Sequence, residues 1–134
     1  MAQEVLVKES LSNEMISAGA DWATYLNSSP LTVTALLWFY IPELNAWRFV
    51  VASPEVRTSG PKKVYQEIRS IMSKIPAGNQ TVPLEEIVVV DSNDPLISLL
   101  RHAITTGPGI AGIRFSGNVI NGVLIEDAYI YKLT

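Results

Sequence analysis

The chain predicts one α/β domain of a mixed, α+β-like kind, with the element order α-β-β-α-β-α-β-β and a five-stranded mixed sheet carrying helices on its faces. Three observations carry that expectation. Apolar residues recur at helical spacing in three stretches, and runs dense in β-branched and aromatic residues alternate with them. The last two runs flank Asn121-Gly122, a dipeptide suited to a two-residue hairpin turn because both central residues need positive φ. With 134 residues, 48% of them hydrophobic, a single core spanning 1–134 can form without disulfides or metals.

The first helix is expected over 4–27, where Leu11, Met15, Ala18, Trp22 and Leu26 share one face and Trp22 and Leu26 fall in the core. Gly19 inside that pattern weakens it by about 1 kcal/mol relative to alanine. Pro30 ends it, because the residue before a proline is driven out of the helical region. Leu31 to Ile41 and Ala46 to Ser53 then form a hairpin across Pro42–Asn45. With Ile41 opposite Ala46, Tyr40 lies across from Trp47, Trp38 from Phe49 and Leu36 from Val51, so an aromatic ladder covers one face. Pro54 to Ser59 is a polar link.

The clearest helix runs from Pro61 to Ile75, with Val64, Ile68, Ile71, Met72 and Ile75 in one stripe. After a loop from Pro76 to Pro83, a strand over Leu84–Val90 contains Ile87-Val88-Val89-Val90, apolar on both sides and therefore suited to the middle of a sheet. Asp94 as N-cap and Pro95 at the first position open a third helix, whose apolar face is Leu96, Ile97, Leu99, Leu100, Ala103 and Ile104. Gly107-Pro108-Gly109 stops it. The strand-helix-strand connections imply that the second, third and fourth strands run parallel.

In the terminal hairpin, Ile120 opposite Val123 places Arg114, Ser116 and Asn118 on one face with Ile125, Asp127 and Tyr129. Ser116 then faces Asp127, Arg114 faces Tyr129, and Arg114 pairs diagonally with Asp127. Ile113, Phe115, Val119, Leu124, Ala128 and Ile130 form the opposite, core face.

Composition excludes several function classes. A net charge of −3, with scattered Lys and Arg, lacks the basic field that a nucleic-acid binder needs. The longest apolar run, Ala35 to Ile41, is far shorter than the roughly 20 residues of a membrane helix. Cysteine is absent and the start shows no export signal, so the expected location is the cytoplasm.

Chemical motifs fail one by one. His102 is the only histidine and sits on a helix beside Arg101. Asp91 to Asp94 lacks the glycine and closing glutamate of a calcium loop, with Pro95 where a fifth ligand would stand. Glu126 and Asp127 lack the following lysine of a metal-dependent nuclease. Thr105 to Gly109 follows a helix and precedes a strand, the reverse of a phosphate-binding loop. No metal and no cofactor are therefore expected.

The function expected is that of a small, non-enzymatic interaction or accessory module that self-associates or meets another protein, using hairpin surface around Trp47, Arg114 and Tyr129. The alternative is a small-ligand-binding protein or enzyme whose polar site lies at the strand ends around Asp91, Ser116 and Asn118, beside Ser53, Ser92 and Asn93. There Asp91 would serve as base or metal-oxygen ligand.

Overall fold

The computed structural model describes residues 7–76 and 81–134; the expected helix start at 4–6 and the loop residues 77–80 lie outside the described residues. Its strands are β1 (Ala35–Ile41), β2 (Ala46–Ala52), β3 (Ile87–Val90), β4 (Ile113–Ile120) and β5 (Val123–Leu133). The helices are α1 (Asn13–Asn27), α2 (Glu55–Ser59), α3 (Pro61–Met72) and α4 (Pro95–Arg101). The expected polar link is thus largely a short helix. The five strands form one mixed sheet in the order β3-β2-β1-β5-β4.

Both hairpins keep the register their turns impose. Tyr40 pairs with Trp47, Trp38 with Phe49 and Leu36 with Val51. Ser116 pairs with Asp127 and Arg114 with Tyr129 across a turn in which Asn121 and Gly122 have φ of 49° and 80°. β2 and β3 are parallel, joined by a crossover that contains α2 and α3. β4 is not parallel to them. β5 pairs antiparallel with both β1 and β4, so the hairpin, rather than the connection after β3, decides where β4 goes and in which direction it runs.

Each sheet face carries its own core. On one side, Trp38, Tyr40, Trp47, Phe49 and Tyr131 pack beneath α1 and α3 with Trp22, Leu26, Val64 and Ile68. On the other, Leu37, Val50, Ala128, Ile130 and Leu133 pack with Ile97 and Leu100 of α4. α1 begins later than expected because the Ser12 hydroxyl caps it, accepting from the Met15 N–H at 3.1 Å. Gly19 is required by contact: a methyl there would overlap the Tyr131 hydroxyl and the Trp38 ring. That close approach lets Trp38 Nε1 donate to the Met15 carbonyl at 3.0 Å and the Tyr131 hydroxyl to the Ile16 carbonyl at 2.6 Å.

A β-bulge interrupts the β1–β5 ladder. Leu36 pairs with Lys132 and Leu37 with Ile130, leaving Tyr131 as the extra residue. Tyr131 and Lys132 consequently both reach α1, Lys132 Nζ donating to Asn27 Oδ1 at 2.7 Å.

The sheet edges differ. At β3, the Val89 N–H donates to the Tyr65 hydroxyl at 3.0 Å, and that hydroxyl donates to the Ile87 carbonyl at 3.3 Å. The outward backbone groups of this edge are thereby engaged from α3. Beyond β4, among the described residues, no strand lies.

Candidate functional site

The polar face of the terminal hairpin centres on Asp127, which is only 3% exposed. Arg114 reaches it from the neighbouring strand as a fork, Nε to Oδ1 and Nη2 to Oδ2, both at 2.7 Å. Lys8 arrives from an extended arm preceding α1 and donates to Oδ2 at 2.8 Å. Burial by itself would raise the Asp127 carboxyl, but the hydrogen bonds from Arg114 and Lys8 outweigh it and hold the group below the ordinary carboxylate range. The same carboxylate raises Arg114. Asp127 therefore anchors Arg114 and Lys8 as a carboxylate.

Aromatic rings complete this corner. The Lys8 ammonium lies 4.8 Å from the Tyr40 ring centroid and 5.9 Å from that of Trp47, and the Arg114 guanidinium lies 5.8 Å from Trp47. Trp47 was expected on an exposed surface; it is 4% exposed, and its Nε1 donates to the Glu9 carbonyl at 2.9 Å. The arm covers it. Asn45 holds that arm twice, accepting from the Glu9 N–H at 2.8 Å and donating to the Val7 carbonyl at 3.0 Å. Tyr129 is half-buried, its ring 5.2 Å from that of Tyr131.

Toward the turn, the expected sorting into core and solvent faces reverses. Ile120 and Ile125 are buried with the α4-side core, while Val119 (65%), Leu124 (59%) and Val123 (48%) are exposed. Gly117, at φ 64°, sits where the reversal begins, and the Gly117–Glu126 rung is missing from an otherwise continuous ladder. A positive-φ residue breaks the pleat that makes side chains alternate. Ser116 and Asn118 are exposed there, Asn118 Nδ2 donating to the Ser116 carbonyl at 3.0 Å.

The strand-end cluster divides in two. β2 and β3 do adjoin, bringing Ser53 beside Asp91, Ser92 and Asn93. Arg57 clasps Asp91 through Nε to Oδ2 at 3.0 Å and Nη2 to Oδ1 at 3.1 Å, and this pairing lowers the carboxyl. Ser92 shares a 2.8 Å hydrogen bond with Thr34, and its carbonyl accepts from Arg101, which also reaches the Thr134 carbonyl. These contacts tie α2, α4 and the chain's last residue together. Ser116 and Asn118 are not part of this group: β4 is the opposite edge, four strand spacings or roughly 19 Å away. The site expected around Asp91, Ser116 and Asn118 does not assemble.

The start of α1 borders a groove of about 220 Å³, lined by Glu14, Met15, Trp38, Val82 and Glu86. Burial raises Glu86, against the pull of Arg48. Sequence patterning could not reveal this groove, because its walls come from three separated segments. His102 is exposed at the end of α4. Among the described residues no cluster of three or more His, Asp or Glu could hold a metal ion, and no helix is long and apolar enough to cross a membrane.

No protein-family model matches the chain, and neither does any curated protein or solved structure.

Proposed function

We propose that this protein is a non-enzymatic interaction module that joins a second copy of itself through the β4 edge and the tip of the β4–β5 hairpin. The observation that carries this reading is the tip itself. β5 pairs with β1 only from Leu133 back to Ala128, so the hairpin projects past its neighbour and holds Val119, Val123 and Leu124 in water around one turn. Clustered aliphatic side chains at a protruding edge favour a protein partner. The adjoining eight-residue strand is the last in the sheet on that side, and an edge strand presents outward N–H and C=O groups that another strand can pair with, although the Ser116 carbonyl is taken by the Asn118 side chain. Two identical edges can pair antiparallel about a two-fold axis, which makes a closed, self-complementary contact. The Asp91 and Asp127 carboxylates argue against a general base, since guanidinium forks already hold both.

Sedimentation velocity across a concentration series tests the proposal. The wild type is expected to dimerise, and the V119S/L124S variant to dissociate at least about tenfold more readily with an unchanged Tm. A wild type that stays monomeric up to about 1 mM, where an association worth roughly 4 kcal/mol would still show, overturns it.

A further inference from the structure

We propose that Tyr40, Trp47 and Asp127 form a recognition site for a primary ammonium group, which the chain's own Lys8 fills as a tethered competitor for the lysine side chain of a partner protein. Three strands build the site: Tyr40 from β1, Trp47 from β2 and Asp127 from β5. The two rings stand 5.4 Å apart at 56°, forming a corner rather than a stack, and the ammonium sits before both faces with a carboxylate oxygen at 2.8 Å. Rings and carboxylate together supply the two attractions that select a cation, the ring quadrupole and a full charge.

Contacts that do not involve the Lys8 side chain hold these walls. The Tyr40 hydroxyl donates to Asn45 Oδ1 at 2.7 Å, the Trp47 indole is tied to the Glu9 carbonyl, and the Arg114 fork orients Asp127. Preorganisation of this kind is what makes a binding site rather than an incidental ion pair. The fork also sets the specificity. With Arg114 occupying both carboxylate oxygens, what remains on Oδ2 suits a compact point donor rather than a second planar guanidinium, and the 2.8 Å contact requires an N–H that a quaternary ammonium lacks.

Lys8 is a replaceable occupant. It reaches Asp127 across 119 residues of sequence, its side chain remains 40% exposed, and the arm that carries it lies outside α1. Beside it opens a cavity of about 240 Å³, bordered by Tyr40, Pro42, Asn45 and a second carboxylate, Glu126. An incoming lysine has an approach there that already favours positive charge.

Chemical rescue tests the site in the full-length chain. In Lys8→Ala, n-propylammonium replaces the missing methylenes and ammonium, and its binding is read from the Trp47 indole N–H resonance. Saturable binding at least about tenfold tighter than in the wild type, where Lys8 competes, is expected, with tetramethylammonium and sodium chloride giving no comparable response. Tyr40→Leu in the Lys8→Ala background should weaken it by about the same factor, and it leaves the Asp127–Arg114 fork in place should Asp127 variants fail to fold. A folded Lys8→Ala protein that shows no saturable shift, or responds equally to all three salts, overturns the proposal. So does equal affinity in the wild type.

Discussion

The two edges of the sheet handle the same hazard in opposite ways. β3 is four residues long, and the Tyr65 hydroxyl accepts from one outward N–H and donates to one outward carbonyl, so little remains for another chain to pair with. β4 is twice as long, has no strand beyond it among the described residues, and leads into a hairpin tip where Val119 of β4 and Val123 and Leu124 of β5 are exposed. Open edges invite pairing, and proteins ordinarily blunt them. One edge is engaged by a side chain from a helix and the other has no strand beyond it, and the proposed self-association rests on that contrast.

Three substitutions break or sharpen this contrast. The largest effect is expected at Asp127, which ties β4 to the rest of the sheet through Arg114. Asp127→Asn leaves two cations facing a neutral amide and should cost about 2–3 kcal/mol in urea unfolding. Because the folded carboxyl lies below its ordinary value of 3.8, its contribution is complete above that pH and is lost as the pH falls through the lowered value. The variant should therefore lose less stability than the wild type on acidification below about pH 4. An unchanged acid profile would show that the fork does not anchor the edge.

Tyr65→Phe is the intermediate case. Removing the hydroxyl leaves the Val89 N–H and Ile87 carbonyl without their partner, for a loss of about 1 kcal/mol in thermal unfolding and a new tendency to associate through β3. If assembly does not change, the hydroxyl contributes only stability and the guarding argument fails. Ser116→Lys should have the smallest effect on folding, within about 0.5 kcal/mol, since Ser116 is exposed. By placing a charge on the open edge it should nevertheless weaken self-association about tenfold, as read by light scattering.

Local and nearest-neighbour features were legible in the sequence. Asn121-Gly122 announced its turn, and the four-residue connection Pro42–Asn45 set the aromatic pairing of β1 with β2. Strand order was not legible, because it depends on which long-range partner β5 prefers. The crossover rule, applied to the strand after α4, assumed that β3 and β4 were neighbours. Likewise, Gly117 gives no warning that alternation fails beyond it: a glycine within a strand can be a bulge, a bend or a close approach. Beyond it, Val119 and Leu124 lie outside the core and Ile125 inside it.

The candidate site was half visible. Arg114 with Asp127 followed from hairpin register alone, whereas Lys8 joins them from 119 residues away, and no periodicity records such a meeting. Ser12 is of a residue type that caps helices, which makes the residues before it an arm rather than helix and Trp47 a residue for that arm to cover.

The doubled residue at Tyr131 makes the length of the last strand as consequential as its composition. Strict alternation would have turned Lys132 toward the all-hydrocarbon layer containing Leu37 and Ile97, where an ammonium has no counter-ion. The irregularity swings it back to the end of α1 and delivers Leu133 to the hydrocarbon instead. Losing Tyr131 alone would restore a regular ladder with Lys132 still toward α1 and Leu133 still in the hydrocarbon, at the cost of the buried Tyr131 ring and its hydrogen bond to the Ile16 carbonyl.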